Sequence, residues 1–344
     1  MFSGDKKVDV QNADMASAST VTRLTSRRYI MRHKNINYRE IKNVSQDAPY
    51  KLGQVLARGA ESVLYSGSMA GHPICVKAIR NSVNKWIGDS VTRAQKEKLD
   101  SVSYRTKIRH LHNEYAISRK LYDDAEIPVV HIYALRRVTF WGLELGFDLL
   151  MEPLNGHDLA DKIVYRTLGF EDKVKVLYQA VQSLDYVHKR GIIHLDVKPS
   201  NFMLNDGMVK LLDFGVSVPN GYRPGAITGT SGYLAPEQIC KEPVDERTDL
   251  FALGVTFAVF FGGKMLTQPQ DELLQKQTRL EAKYHLEHHD GPVINEIPEL
   301  ASVPRLADII RTCTIPSRDK RMKNCQTMLN QIRLWAEEAG MALE

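Results

Sequence analysis

Cysteine is scarce in this sequence, and its positions are not those of a disulfide framework or a metal site. The 344 residues include four cysteines, none of them in a C-x-x-C pair or near a histidine at zinc-ligand spacing: Cys75, Cys240, Cys313 and Cys325. A few unpaired cysteines are typical of proteins in a reducing compartment. We therefore expect free thiols and a cytoplasmic setting.

Long apolar runs are missing too. The N-terminus has no stretch that resembles the apolar region of a secretory signal peptide. The most apolar run, 250–263, is shorter than the roughly 20 residues of a membrane helix and instead favours a buried core helix. We expect a soluble protein without a transmembrane segment. The polar leader fits a plain cytosolic enzyme and equally an effector delivered into a host cytosol, so both settings stay open.

A strong charge of one sign is also absent. The net charge of +5 is too small to indicate nucleic-acid binding, and we expect no nucleic-acid partner. Residues 1–48 are polar with almost no apolar periodicity, which predicts a disordered tail, and they contain a basic cluster. A second basic stretch, 81–109, predicts either a docking surface for an acidic partner or a solvated insertion. Its basic residues are Lys85, Arg93, Lys96, Lys98, Arg105, Lys107 and Arg109.

The hydrophobic pattern changes near residue 153. Before it, short apolar runs predict strands at 50–56, 62–67, 74–80, 131–138 and 143–151, with one helical stretch near 111–121. After it, apolar residues spaced by three and four predict helices at 170–190, 245–261, 269–287, 301–312 and 324–338. We therefore expect an α+β fold, with a small β-rich lobe over 49–152, a larger helical lobe over 153–340 and a ligand cleft between them.

Two short segments carry residue types suited to phosphate chemistry. Residues 193–201 read Ile-His-Leu-Asp-Val-Lys-Pro-Ser-Asn, so that Asp196 and Asn201 can face one small volume with Lys198 between them. Asp213-Phe214-Gly215 follows a predicted strand and supplies a second carboxylate. Oxygen ligands from two separate loops suit Mg²⁺, which shares its coordination with substrate phosphates.

These segments resemble the catalytic loop and the metal-binding loop of the eukaryotic-type protein serine/threonine kinase family. The resemblance covers about residues 50–338, and it implies a bilobal protein-kinase fold that uses ATP and Mg²⁺ to phosphorylate a protein substrate. It also implies the roles of individual residues. Asp196 accepts the hydroxyl proton, Lys198 stabilises the γ-phosphoryl group, Asn201 and Asp213 hold the metal, Lys77 positions the α- and β-phosphates, Glu114 pairs with Lys77, and Thr230 contacts Asp196 and Lys198.

The same resemblance implies a nucleotide pocket. The glycine-rich loop of the family corresponds to residues 57–62, where only Gly59 is retained and where Arg58 and Glu61 are expected to face solvent. Met151 is expected to gate the back of the adenine site, and the backbone carbonyl of Glu152 to accept from the adenine amino group. The implied nucleotide-binding residues are Leu56, Ala57, Gly59, Ser62, Leu64, Cys75, Lys77, Met151, Glu152 and Leu154.

One departure from the family pattern has a mechanistic consequence. Leu195 stands where the family usually has an arginine that binds a phosphate on the activation segment. Our hypothesis is that activity does not require phosphorylation of that segment. By the same resemblance, Glu237 is expected to pair with Arg321, and Asp249 to brace the catalytic loop.

Two other functions remain open. A pseudokinase that binds partners without catalysis would explain the changes at Ala57, Ser62 and Leu195, although the catalytic set is complete. A small-molecule kinase would explain the atypical 57–62 loop. The segment 229–237, Gly-Thr-Ser-Gly-Tyr-Leu-Ala-Pro-Glu, favours a protein substrate because it resembles the segment that docks a peptide.

Overall fold

The computed structural model of the chain describes residues 48–59, 61–81, 102–122, 127–264 and 294–343. The predicted tail apart from Ala48, the predicted helix 269–287 and most of the basic stretch 81–109 lie outside these residues. Within them, the elements before residue 152 are β1 (Tyr50–Arg58), β2 (Val63–Met69), β3 (His72–Arg80), α1 (Tyr104–Leu121), β4 (Ile132–Phe140) and β5 (Leu143–Met151).

The five strands form an antiparallel sheet in the order β1-β2-β3-β5-β4. The central part of β3 is buried, and the strand pairs with β2 on one side and β5 on the other, which suits its nearly continuous apolar run. Helix α1 begins after Ser103, whose hydroxyl oxygen accepts the N–H of Thr106 and satisfies one free donor of the first turn. α1 contacts β3, β4 and β5 and thus packs across the middle strands of the sheet.

The second part of the chain is mainly helical, so the predicted α+β class is confirmed. Its elements are β6 (His157–Asp158), α2 (Lys162–Thr167), α3 (Phe170–His188), β7 (Ile192–Ile193), β8 (Phe202–Asn205), β9 (Met208–Leu211), β10 (Val218–Pro219), α4 (Pro236–Ile239), α5 (Glu246–Phe260), α6 (Pro298–Ala301), α7 (Pro304–Cys313) and α8 (Cys325–Glu338).

Two helices form the centre of the core. α3 buries the predicted stripe of apolar residues, Val174, Leu177, Val181, Leu184 and Val187. α5 is buried on nearly every side, as its apolar run predicts, and the carboxylate of Asp245 caps its N-terminus by accepting the N–H of Arg247. Among the described residues, no helix combines the length and apolar character needed to cross a membrane.

The helix predicted at 301–312 is observed as α7 with a later start, and residue 301 is instead the last residue of the short helix α6. α6 ends at Ala301 and α7 begins at Pro304, because proline lacks an N–H and is tolerated only in the first turn of a helix. The segment 194–201 connects β7 to β8, and Asp213 follows β9. Both motifs therefore lie at ends of short strands that pack on α3 and α5.

Candidate active site

Three parts of the chain meet at the side chain of Lys77. This lysine lies on β3, in register with Leu149 of β5. Its Nζ donates to Oε2 of Glu114 on α1 at 2.7 Å and to Oδ1 of Asp213 after β9 at 3.1 Å. The cluster forms because α1 packs against the sheet and brings Glu114 next to Lys77. The side chain of Glu114 is almost fully buried there.

The electrostatics of the three groups differ because each has different neighbours and a different degree of burial. Burial works to lower the pKa of Lys77, but the carboxylates of Asp213 and Glu114 outweigh it, and the pKa is raised. Burial raises the pKa of Glu114 to about 7, against the opposing effect of Lys77. Burial also works to raise the pKa of Asp213, but Lys77 outweighs it and lowers that pKa to about 2. At neutral pH, Lys77 and Asp213 are charged, whereas Glu114 is close to its titration midpoint.

A second cluster surrounds the carboxylate of Asp196. Oγ1 of Thr230 donates to Oδ1 of Asp196 at 2.6 Å, and Nζ of Lys198 donates to Oδ2 at 2.7 Å. Nζ of Lys198 also donates to Oγ1 of Thr230 at 2.8 Å. The carboxylate is thus held in one orientation by a cation and a hydroxyl, and both of these groups come from segments predicted to be catalytic.

The backbone that carries Asp196 is fixed from beneath by Asp249 of α5. The two carboxylate oxygens of Asp249 accept the N–H groups of His194 and Leu195 at 2.7 and 2.8 Å, and Oδ2 also contacts Nε2 of His188 at 2.8 Å. Leu195 adopts a φ of 67°, a left-handed conformation that is costly for a leucine and that these bonds help to maintain. The predicted brace is confirmed.

The residues predicted to bind a metal lie on two loops that are tied together. Nδ2 of Asn201 donates to the carbonyl of Asp196 at 2.7 Å, and the carbonyl of Asn201 accepts the N–H of Leu212, the residue before Asp213, at 2.9 Å. Asp213 has a φ of 63° and leaves nearly half of its side chain exposed. A carboxylate and an amide oxygen on adjacent loops suit Mg²⁺, which takes only one or two protein carboxylates and completes its shell with water and phosphate oxygens.

A cleft of about 290 Å³ joins the two clusters. Its lining includes every residue predicted to be catalytic except Thr230, and it contains Gly59 and Ser62 from the predicted phosphate loop. The N–H of Gly59 donates to the carbonyl of Ser62 at 2.9 Å and closes this loop into a turn.

The other predicted nucleotide residues lie outside the described lining of this cleft. Ala57 pairs with Leu64 across β1 and β2, next to the exposed Leu56. Cys75 pairs with Met151 across β3 and β5, and both are buried. Burial raises the pKa of Cys75 to about 11, so its thiol is neutral at pH 7.

Glu152 has a structural contact that the sequence did not indicate. Both oxygens of its buried carboxylate accept from Nζ of Lys210 on β9 at 2.7 Å, and Oε1 also accepts the N–H of His131. This side chain therefore fastens the end of β5 to β9. Leu154 follows two residues later and packs at the edge of the main core.

The segment after Asp213 is anchored at its far end by a buried ion pair. The guanidinium of Arg321 donates to the two carboxylate oxygens of Glu237 at 2.7 and 3.2 Å, as predicted. Thr248 adds a hydroxyl donor to Glu237 at 2.9 Å. Leu195 packs with Ile193 and Val244 in a small apolar cluster, so position 195 offers no cation to this segment.

Three residues near the clusters were not identified from the sequence. Nδ2 of Asn113 donates to the carbonyls of Phe214, Gly215 and Ser217. The buried amide of Gln238 donates to the carbonyl of Thr228, further along the same segment. Glu61 was expected to face solvent, but its carboxylate lies 3.0 Å from Nδ1 of His110 and lines the cleft. These contacts depend on the tertiary packing, and no sequence motif predicts them.

A second cavity opens beside Lys198 and Thr230. Its volume is about 460 Å³, and its described lining is largely apolar, with Leu159, Tyr165 and Phe260 among its residues. It lies next to Asp196, because Lys198 and Thr230 belong both to its lining and to the Asp196 cluster.

Comparison with known proteins identifies the family. The protein kinase domain model matches residues 50–332, which is most of the chain. This chain belongs to the protein kinase family. The predicted resemblance is thereby confirmed, and the lysine cluster and the Asp196 cluster fall within the matched kinase domain.

Several kinases are similar to parts of this chain. The Aurora kinase of Eremothecium gossypii is 29% identical over 236 residues, which cover 67% of this chain and 58% of that protein. The serine/threonine-protein kinase A of Synechocystis is 28% identical over 220 residues, covering 59% of this chain and 41% of that protein. The Aurora kinase of Candida glabrata is 46% identical over 142 residues, covering 38% of each. The chain thus spans less than two thirds of these relatives' length.

Proposed function

We propose that this protein is a serine/threonine kinase that transfers the γ-phosphoryl group of ATP to a hydroxyl group of a protein substrate. The observation that carries the proposal is the junction of the two clusters in one cleft, where Lys77, Glu114 and Asp213 face Asp196 and Lys198. The names of the Synechocystis relative and of the probable serine/threonine-protein kinase PknB of Bifidobacterium longum agree with it.

The residues divide the work of phosphoryl transfer by position and charge. Asp196 orients the substrate hydroxyl and accepts its proton, while Lys198 stabilises the negative charge that develops on the transferred group. Lys77 binds the α- and β-phosphates and is itself oriented by Glu114. Bound Mg²⁺ would neutralise phosphate charge, and Asp213 with Asn201 would hold it. Preorganised charge of this kind supplies most of the catalysis in a reaction that needs little covalent help.

Two features support a serine or threonine hydroxyl of a protein as the acceptor. The hydroxyl of Thr230 already donates to Oδ1 of Asp196, and Lys198 lies on the other oxygen, so an acceptor must enter a narrow polar site. The neighbouring 460 Å³ cavity offers space for a side chain that flanks the acceptor. No contact among the described residues favours the pseudokinase alternative, since the predicted catalytic set is complete and in contact.

A phosphorylation assay tests this function. The protein is incubated with γ-labelled ATP, Mg²⁺ and a generic basic protein, and transfer of label is followed. We expect Asp213→Ala to abolish transfer and Asp196→Asn to reduce it by about 10²–10⁴-fold. The matched control is Asp206→Asn, because Asp206 lies in the exposed β8–β9 turn at a φ of 51° that asparagine tolerates. Absence of transfer by the unaltered protein, or full transfer by Asp213→Ala, would refute the proposal.

We also propose that the basic stretch binds an acidic partner through its exposed residues. Arg105 and Arg109 on α1 are exposed and support this role. Lys107 must be removed from the predicted surface, because its side chain is buried and lines the nucleotide cleft. Loss of partner capture by Arg105→Glu with Arg109→Glu would support the surface, and unchanged capture would contradict it.

The cytoplasmic setting, in the producing cell or in a host, is likewise a proposal, supported by four free cysteines that are all buried.

A further inference from the structure

The side chain of Gln238 connects the catalytic loop, residues 193–201, to the activation segment, the stretch from Asp213 to Glu237. Gln238 lies on the short helix α4 and is 2% exposed. Its Nε2 donates to the carbonyl of Leu195 and to the carbonyl of Thr228, each at 2.9 Å. Its Oε1 accepts the N–H of Ala235 at 3.0 Å. Both amide hydrogens are therefore used, one on each segment.

The two segments are in close contact where this amide joins them. Gly229 has a φ of 115°, and a Cβ placed on it would lie 2.6 Å from the carbonyl oxygen of Leu195. The next residue, Thr230, donates to Asp196. The amide thus fixes the position of Thr228 immediately before the residue that contacts the proposed catalytic carboxylate.

The amide also resolves an electrostatic conflict. The carbonyl oxygens of Leu195 and Thr228 both carry partial negative charge, and an N–H donor between them stabilises their approach. The side chain of Leu195 cannot supply such a donor, because it is apolar and packs with Ile193 and Val244. Among the described contacts of these two carbonyls, the neutral amide of Gln238 supplies the connection without any phosphate group.

We propose that Gln238 is a positioning residue that holds the activation segment on the catalytic loop in the unphosphorylated protein. This inference rests on the proposed kinase function, and it explains how the chain dispenses with an arginine at position 195. The uncharged side chain of Gln238 thereby aligns the hydroxyl of Thr230 with the carboxylate of Asp196. A phosphate on the segment is then not required for activity.

Kinetics test the proposal with a matched pair of variants. Gln238→Glu keeps the shape but replaces two donors by an acceptor, and Gln238→Met removes the polar group without adding charge. The control is Gln179→Glu, since Gln179 is another amide that contacts two backbone groups, at Gly207 and Val209, and it belongs to neither cluster of the active site. All are made in a Thr228→Ala, Ser231→Ala background, which removes those two phosphorylation sites.

We expect the background protein and Gln179→Glu to retain the kcat of the unaltered protein within about threefold. Gln238→Glu and Gln238→Met should lower kcat for the protein substrate by about 100-fold, the usual effect of a displacement of about 1 Å in an active site, with the KM for ATP unchanged. Loss of activity in the background protein alone would overturn the proposal. A kcat for the Gln238 variants equal to that of Gln179→Glu would overturn it as well.

Amide hydrogen exchange separates this inference from the proposed function and needs no catalysis. The N–H of Ala235 bonds directly to Gln238, so its exchange should be slow in the unaltered protein, at least tenfold faster in Gln238→Met and unaffected in Gln179→Glu. Equal exchange in all three proteins would overturn the proposal even if the enzyme is active. Total absence of kinase activity with the expected exchange pattern would instead refute the proposed function alone.

Discussion

Glu237→Gln should destabilise the protein far more than the same substitution at the surface. The carboxylate of Glu237 is 4% exposed and its partner Arg321 is fully buried. In Glu237→Gln, the guanidinium keeps its bonds to the carbonyls of Ile315, Pro316 and Arg247 but loses its counter-charge. An unpaired buried charge costs about 3–5 kcal/mol. Since three carbonyl bonds remain, we expect the lower end, about 3 kcal/mol.

Thermal and urea unfolding measure this effect. A loss of about 3 kcal/mol lowers the melting temperature of a domain of this size by roughly 6–10 °C. The control is Glu338→Gln, which breaks the pair between Arg305 and Glu338, whose side chains are 52% and 60% exposed. An exposed pair of this kind contributes less than about 1 kcal/mol. If Glu237→Gln and Glu338→Gln differed by less than about 1 kcal/mol in urea, the argument from burial would be wrong.

Two more predictions concern the pair of Glu114 with Lys77 and the close contact of Gly229 with Leu195. As the pH falls from 8 to 6, the KM for ATP should rise because Glu114, with a pKa of about 7, takes up a proton and loses its attraction for Lys77; Glu114→Gln should have a high KM at every pH. Since the pKa of Glu114 is raised on folding, the melting temperature relative to Glu114→Gln should increase over the same fall in pH, and a decrease would contradict the burial argument. Gly229→Ala should lower kcat by at least about tenfold because its Cβ would strike the Leu195 carbonyl, whereas Gly221→Ala, with a φ of 82° and open space around it, should leave kcat unchanged.

The fold class and the two main motifs were predictable because they depend on local order along the chain. The strand at 143–151 was predicted with its observed bounds, and the buried stripe of α3 follows from the spacing of its apolar residues. The pairing of Glu237 with Arg321 and the brace by Asp249 were also foreseen, although only the resemblance to kinases connected residues so far apart.

The contacts that were missed are those made by side chains with no local signature. Asn113 and Gln238 are ordinary amides in the sequence, and each becomes important only because a backbone carbonyl from another segment lies within 3.2 Å. The contact of Glu61 with His110 likewise depends on how α1 packs against the sheet. Long-range hydrogen bonds of this kind have no periodicity that a sequence can display.

The sequence by itself determined which chemical groups are present and in what order: a lysine on the third strand, a glutamate on the following helix, and two carboxylates with an asparagine on the later loops. It also determined the apolar patterns that make a sheet and a set of helices. The tertiary structure alone decided that burial would raise the pKa of Glu114 to about 7 and that the nearby Lys77 would lower the pKa of Asp213 to about 2. It also decided that an amide would hold the activation segment. These properties depend on distances between segments and on the exclusion of water, which arise only when the chain is packed.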